Sequence, residues 1–214
     1  MSATLALSRL HFPVRALGPG RRIGVWVQGC AIRCPGCISA DTWRQGTGQV
    51  PVASVLEQLG EWAGEADGIT VSGGEPLDQQ DSLAELLRGW RALSRKSVLV
   101  FTGYDWPLAQ AFFDKHNGLA DAVIAGPFDA AAGQTLALRG SDNQTLHVLT
   151  PLGEAFRAYE RERTSADRKL DAMFDEDGSV WFAGIPAPGD FERLASALHA
   201  DGHHVAISAD RAAA

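Results

Sequence analysis

Cysteine is scarce in this chain: three among 214 residues, at positions 30, 34 and 37. An odd number excludes a closed disulfide framework, and three thiols this close together cannot staple a fold. Basic charge is also short, 19 Lys and Arg against 26 Asp and Glu, for a formal net charge of −7. Chains whose main partner is nucleic acid usually show a basic excess, so that partner is not expected. No apolar run is long enough to span a bilayer, so no membrane partner is expected either. The opening segment MSATLALSRLHFPVRALGPG has no uninterrupted hydrophobic stretch and no clear cleavage site. It is a poor signal peptide, and a cytoplasmic location follows as the expectation. What remains is ordinary globular composition, 45% hydrophobic and 21% charged, enough for one good-sized domain and a small appendage.

Strand and helix patterns alternate along the chain. Residues 23–28, 68–72, 97–102, 121–125 and 145–149 read as strands, short apolar runs closed by glycine or turn residues. Residues 52–63, 79–95 and about 107–115 carry apolar residues at helical spacing. This β–loop–α repeat predicts an α/β fold, a parallel sheet covered by helices. Active sites of such folds form in the loops after the carboxyl ends of the strands. The two most unusual loops, GCAIRCPGC and GGEP, both follow strands and should converge on one end of the sheet. The texture changes after residue 150, where residues 153–171 are densely charged and read as a solvated helix or linker. A strand at 179–183, a helix at 190–200 and a strand at 203–207 then predict a β-α-β unit. The expected division is a core domain over 1–150 and an extension over 151–214.

The cysteines stand in a C-x3-C-x2-C loop, with Pro35 and Gly36 bending the chain between the second and third. Thiolates select zinc, copper(I) or iron–sulfur clusters. A structural zinc wants four protein ligands, and here a distant histidine would have to supply the fourth. Three thiolates suit a cubane with one iron left open. Three reduced, unliganded thiols are the remaining reading.

Read outward from the cysteines, further segments carry a resemblance. They are Gly18-Pro19-Gly20-x-Arg22, Gly29-Cys30-x-x-x-Cys34-Pro35-Gly36-Cys37, Thr42-Trp43-Arg44, Ser72-Gly73-Gly74-Glu75-Pro76-Leu77, Thr102-Gly103-Tyr104 and Arg139-Gly140-Ser141-x-Asn143-Gln144. In this order they resemble the radical S-adenosylmethionine superfamily, and within it the activases of glycyl radical enzymes, above all those of anaerobic ribonucleoside-triphosphate reductase. The resemblance implies a partial (β/α) barrel. It also implies a [4Fe–4S] cluster on Cys30, Cys34 and Cys37, and S-adenosylmethionine chelated to the open iron. An electron entering the sulfonium would then give methionine and a 5′-deoxyadenosyl radical. By the same likeness, Ser72, Gly73, Gly74 and Glu75 would receive the methionine amino group, and Gly36 and Ile38 would touch the adenine side. The partner implied is a glycyl radical enzyme or another protein or peptide substrate, with flavodoxin or ferredoxin as electron donor. The sequence departs from the pattern at Ala125-Gly126-Pro127, where relatives often carry an Asp-x-Lys-like element; Arg139 or the extension would have to take over its contact. Two other readings stand beside this one: a radical enzyme acting on a peptide or small molecule, and a non-catalytic metal-binding interaction module.

Overall fold

A computed structural model describes residues 3–174 and 180–204. Seven strands form one mixed sheet: β1 (Thr4–Val14), β2 (Arg22–Val27), β3 (Gln49–Pro51), β4 (Gly68–Gly73), β5 (Ser97–Thr102), β6 (Ala122–Ala125) and β7 (Thr145–Val148). Their spatial order is β3-β1-β2-β4-β5-β6-β7. Four of the five inner strands, β2, β4, β5 and β6, are parallel. Helices α1 (Val52–Trp62), α2 (Gln80–Leu93) and α3 (Trp106–Lys115) provide the connections that lead into β4, β5 and β6, as parallel pairing requires. The expected α/β architecture is therefore present. The strand expected at 97–102 occupies those residues, and the others shift by a residue or two at their ends.

Three differences stand out. β1 and β3 lie where no strand was expected, and both pair antiparallel. The sequence of β1 hides its period because the register shifts between Leu7 and Arg9 and again between His11 and Val14, so apolar residues do not alternate cleanly. β7 is antiparallel to β6, not parallel as the β–loop–α repeat predicts; only the 3-10 turn Ala130–Ala132 lies between the two, and without a crossover helix the chain returns antiparallel.

The parallel strands are buried on both faces, which is why they read as continuous apolar runs. Alternation divides them. Ile23, Val25, Val27, Ile69, Val71, Val98, Val100 and Val123 face α1, α2 and α3 in the main core, with Leu59, Leu87, Trp90 and Phe112 packed against them. Their neighbours Trp26, Leu99, Ala122 and Ile124 point to the other face. No helix of this set covers that face. It is closed by the later part of the chain, through Leu138, Phe156, Met173, Ala183 and Ile185.

Arg22 opens β2 at the end of the sheet away from the cysteines. It is fully buried. Its guanidinium donates to Thr70 Oγ1 at 2.6 Å, to Ser97 Oγ at 2.9 Å, to Ser97 O at 3.1 Å and to the Ile69 carbonyl. It also lies over the Phe156 ring at 5.2 Å. Burial pushes its pKa down to about 10, so it stays charged at neutral pH. The group ties three strands and the later chain together. Arg22→Met would leave those acceptors buried and unpaired, at a cost of about 3 kcal/mol or more. A lower urea midpoint with an unchanged m-value is the expected result.

The charged stretch after residue 150 is not one solvated helix. It holds 3-10 turns at Pro151–Tyr159 and Ser165–Asp167, and then β8 (Leu170–Phe174), which pairs antiparallel with β9 (Val180–Gly184). α4 (Asp190–Ala200) follows. The sequence of β8 does not read as a strand because only Met173 of its five residues is buried, so a charged context masks it. The expected β-α-β unit is instead a hairpin followed by a helix. Of the strand expected at 203–207, His203 and His204 have no regular structure and residues 205–207 lie outside the described residues.

Candidate functional site

The parallel register brings the carboxyl ends of β2, β4, β5 and β6 to one edge, and the loops after them interlock. Gly74 N donates to Val27 O at 2.8 Å, and Glu75 N donates to Gly29 O at 2.8 Å. The GGEP loop is therefore hydrogen-bonded to the chain just before Cys30. Gly126 N donates to Thr102 O at 3.1 Å and to Tyr104 O at 2.9 Å, which joins the last two loops. The convergence expected from topology is observed.

The glycines of this edge serve that closeness. A Cβ on Gly74 would lie 2.2 Å from Gly29 O, and one on Gly73 would lie 2.7 Å from both Val27 N and Val27 O. Gly73 also has φ +100°, in the region that favours glycine. The space beside these two residues is filled by neighbouring backbone, so their first role is to let two loops touch. Gly36 has φ +75° and turns the cysteine loop, with Phe128 at 3.4 Å from where its Cβ would be.

Glu75 ties the edge together. It is 1% exposed. Oε1 accepts from Leu77 N at 2.9 Å and from Thr102 Oγ1 at 2.7 Å, while Oε2 accepts from Gly103 N at 2.7 Å. Pro76 occupies the first turn of the short 3-10 helix Pro76–Gln79 that Glu75 caps, a position where its missing N–H costs nothing. Three of about four lone-pair positions of the carboxylate are thus taken. Burial pushes the Glu75 pKa up to about 7, against the pull of its three donors. A folded-state value above the unfolded one contributes stability that is full below the ordinary carboxyl range and lost as pH rises through about 7. For the protein without bound cofactors, Tm should therefore fall from about pH 5 to about pH 8 relative to Glu75→Gln, which cannot titrate. A parallel pair of curves would contradict this.

Two residues not singled out from the sequence hold the cysteine loop. Asp78 Oδ2 accepts from Ala31 N at 2.9 Å, and its Oδ1 accepts from Tyr104 Oη at 2.7 Å. Gln79 Nε2 donates to Gln28 O at 3.0 Å and to Ala6 O at 3.2 Å, and its Oε1 accepts from Ala6 N at 2.7 Å. Both sit just after GGEP, but nothing local in the sequence marks a polar side chain that reaches another loop. The other side of the loop is pinned by Gly29 N to Thr42 O at 2.7 Å and Cys30 N to Trp43 O at 3.3 Å.

Cys30 is buried, and Cys34 and Cys37 are half-buried. Burial pushes the Cys30 and Cys37 thiols up; negative charge on Cys34 and Cys30 adds to the rise at Cys37. Two thiols pushed up in this way resist ionising unless a cation compensates them. Among the described residues, no three His, Cys, Asp or Glu side chains converge to hold a single metal ion. Thiolates around one zinc would all lie about 2.3 Å from a common point, whereas in a cluster each thiolate takes a different iron. The donor set, three thiols on one held loop, fits a cluster. Ile38 is half-buried in the same loop, and Ser72 is half-buried at the end of β4.

The Arg139–Gln144 segment packs beside Ala125-Gly126-Pro127. Gln144 Nε2 donates to Gly126 O at 2.9 Å, and Asn143 Nδ2 donates to Pro127 O at 2.8 Å. Arg139 spends its donors on the carbonyls of Gln144, Ala137 and Tyr159. These bonds brace the loop.

Comparison with known proteins bears on the same region. The family described as 4Fe-4S single cluster domain matches residues 16–147. The chain is 33% identical over 149 residues to the anaerobic ribonucleoside-triphosphate reductase-activating protein of Escherichia coli (strain K12), covering 65% of this chain and 96% of that protein. The protein of the same name from Enterobacteria phage T4 is 30% identical over 135 residues, covering 60% and 85%. The pyruvate formate-lyase-activating enzyme of Listeria monocytogenes serovar 1/2a (strain ATCC BAA-679 / EGD-e) is 44% identical over 111 residues, covering 50% of this chain and 45% of that enzyme.

Proposed function

Because this chain belongs to the 4Fe-4S single cluster domain family, among the radical S-adenosylmethionine activases, we propose that it installs a glycyl radical on a partner enzyme. When bound, the cluster supplies the electron that cleaves S-adenosylmethionine to methionine and a 5′-deoxyadenosyl radical, which takes hydrogen from a glycine Cα of the partner. Cys30, Cys34 and Cys37 hold the cluster in this reading. Gly36 and Ile38 line the adenine side of S-adenosylmethionine. The Ser72–Gly74 backbone and Glu75 receive the methionine amino group. With three protein donors already on it, the Glu75 carboxylate has about one position left to offer, so much of its work is to fix the loop. The same reading takes the sheet as a partial (β/α) barrel, and flavodoxin or ferredoxin as the electron donor.

The observation that carries the proposal is the hydrogen-bonded junction of the cysteine and GGEP loops, Glu75 N to Gly29 O, in a chain whose three cysteines all lie on that loop. A second reading, action on a peptide or small molecule, is favoured by residues after 150. They lie beyond the family match and cover one face of the sheet. The decisive experiment is anaerobic reconstitution and reduction, with 5′-deoxyadenosine measured and a candidate glycyl radical enzyme added. A glycyl radical signal on that partner supports the first reading. Cleavage with no such signal, and with a modified peptide instead, supports the second. No cleavage with zinc alone bound overturns both in favour of a non-catalytic module.

A further inference from the structure

At the end of the sheet away from the cysteines, the chain leaving β1 meets the segment after residue 150. Val14 pairs with Arg22 there, and Arg15 and Ala16 continue onto the helix-free side, where both backbone N–H groups donate to Asp171 Oδ2 at 2.7 Å. Beside them is a cavity of about 40 Å³ whose lining includes Arg15, Tyr159, Arg163, Asp167, Lys169 and Ile185. Three of these side chains are cationic, in a protein whose net charge is −7.

Arg163 is the informative group. Its Nη2 donates to Ile185 O at 2.6 Å. Its Nε and Nη1 are shut off from solvent and have no hydrogen-bond partner among the described residues. Buried donors left without an acceptor are uncommon and costly, and an unseen ion or water is the usual resolution. The one carboxylate in the lining cannot serve. Asp167 already accepts from Arg161 Nη1 at 2.7 Å and Nη2 at 2.8 Å, and from Thr164 N at 2.7 Å and Oγ1 at 2.9 Å. Among the described residues, Arg15, Arg163 and Lys169 form no ion pair, since none appears among the salt bridges of the chain.

We infer that this cavity binds an oxyanion of the phosphate or sulfate class, at the seam between the chain leaving β1 and the residues after 150. An anion there gives the buried guanidinium an acceptor and offsets the charge of Arg15 and Lys169. The volume exceeds the roughly 10–15 Å³ that one water needs, yet has no room for a sugar or a base. The ion is therefore free, or it is the terminal phosphate of a larger molecule lying outside. Because Arg15 comes from one side of the seam and Arg163 and Lys169 from the other, the bound ion fastens the two together.

The test uses the full chain with its cluster, kept anaerobic, and inorganic phosphate titrated at constant ionic strength against chloride. A ligand that binds only the folded state raises Tm along a saturating curve. The expected result is a saturable rise with phosphate, and slower amide exchange across residues 161–169. Lys169→Gln, an exposed position, should weaken the apparent affinity several-fold, and Arg163→Gln should abolish the response. If Arg163→Gln does not fold, Lys169→Gln decides. Adenosine monophosphate in a parallel arm separates the sources: a response to it as well means that a terminal phosphate is accepted, and a response to inorganic phosphate alone means a free ion. A rise that chloride matches, or a phosphate response unchanged in the variants, overturns the inference and leaves the cavity to water.

Discussion

Replacing Cys34 by Ala is expected to remove the brown iron–sulfur chromophore and 5′-deoxyadenosine formation together. Cys34 is half-buried on a loop that carries only two other thiols. Two thiolates cannot hold a cluster that this loop meets with three. The loop itself should persist, because Asp78, Thr42 and Trp43 anchor its backbone on either side of the cysteines. Folding measured by circular dichroism should therefore change little while iron content falls. Asp78→Ala is the contrasting case. It keeps all three thiols but frees Ala31 N and Tyr104 Oη, so cluster affinity should fall by about 10- to 100-fold, as for other groups that orient metal ligands. Chromophore or product retained in Cys34→Ala would contradict the ligand assignment. Equal losses in the two variants would show that loop geometry, not ligand number, limits the site.

The second large effect is expected from one added methyl group. Gly74→Ala places a Cβ 2.2 Å from Gly29 O, well inside any tolerable contact. The obstacle is backbone, so no side chain can swing away. The GGEP loop and the chain entering Cys30 must separate, breaking Glu75 N to Gly29 O and Gly74 N to Val27 O. Two lost hydrogen bonds and a displaced buried loop amount to about 2–4 kcal/mol, measurable by urea unfolding. Because the displaced backbone leads directly into the first cysteine, cluster content should fall as well. Gly64→Ala is the control. Nothing lies within 4 Å of its added Cβ, and its φ is not in the left-handed region, so stability should stay the same or rise slightly.

The sequence made some of this legible and concealed the rest for physical reasons. β5 could be read to the residue because Val98, Leu99 and Val100 are buried on both faces and leave an unbroken apolar run. The meeting of the two unusual loops could be read because parallel strands must present their ends on one edge. β1 could not, because its register shifts scramble the alternation. Asp78 and Gln79 could not, because their partners, Ala31, Tyr104, Ala6 and Gln28, are distant in sequence. The partners of Arg139 could not be read either, because they are backbone carbonyls, of Ala137, Gln144 and Tyr159, and a carbonyl leaves no mark in the sequence.

The face of the sheet that α1, α2 and α3 leave open has a consequence for how its residues can be substituted. Trp26, Leu99 and Ile124 belong to the part shared with shorter relatives, while Phe156, Met173 and Ile185 do not. The packing on that face is therefore shared by two stretches of chain, only one of which lies within the family match. A larger residue on one side must be met by a smaller one on the other, so the two stretches are coupled through shared volume. Paired substitutions such as Ile124→Val with Phe156→Leu should show energetic coupling, whereas either of them paired with a distant change such as Leu59→Ala should simply add.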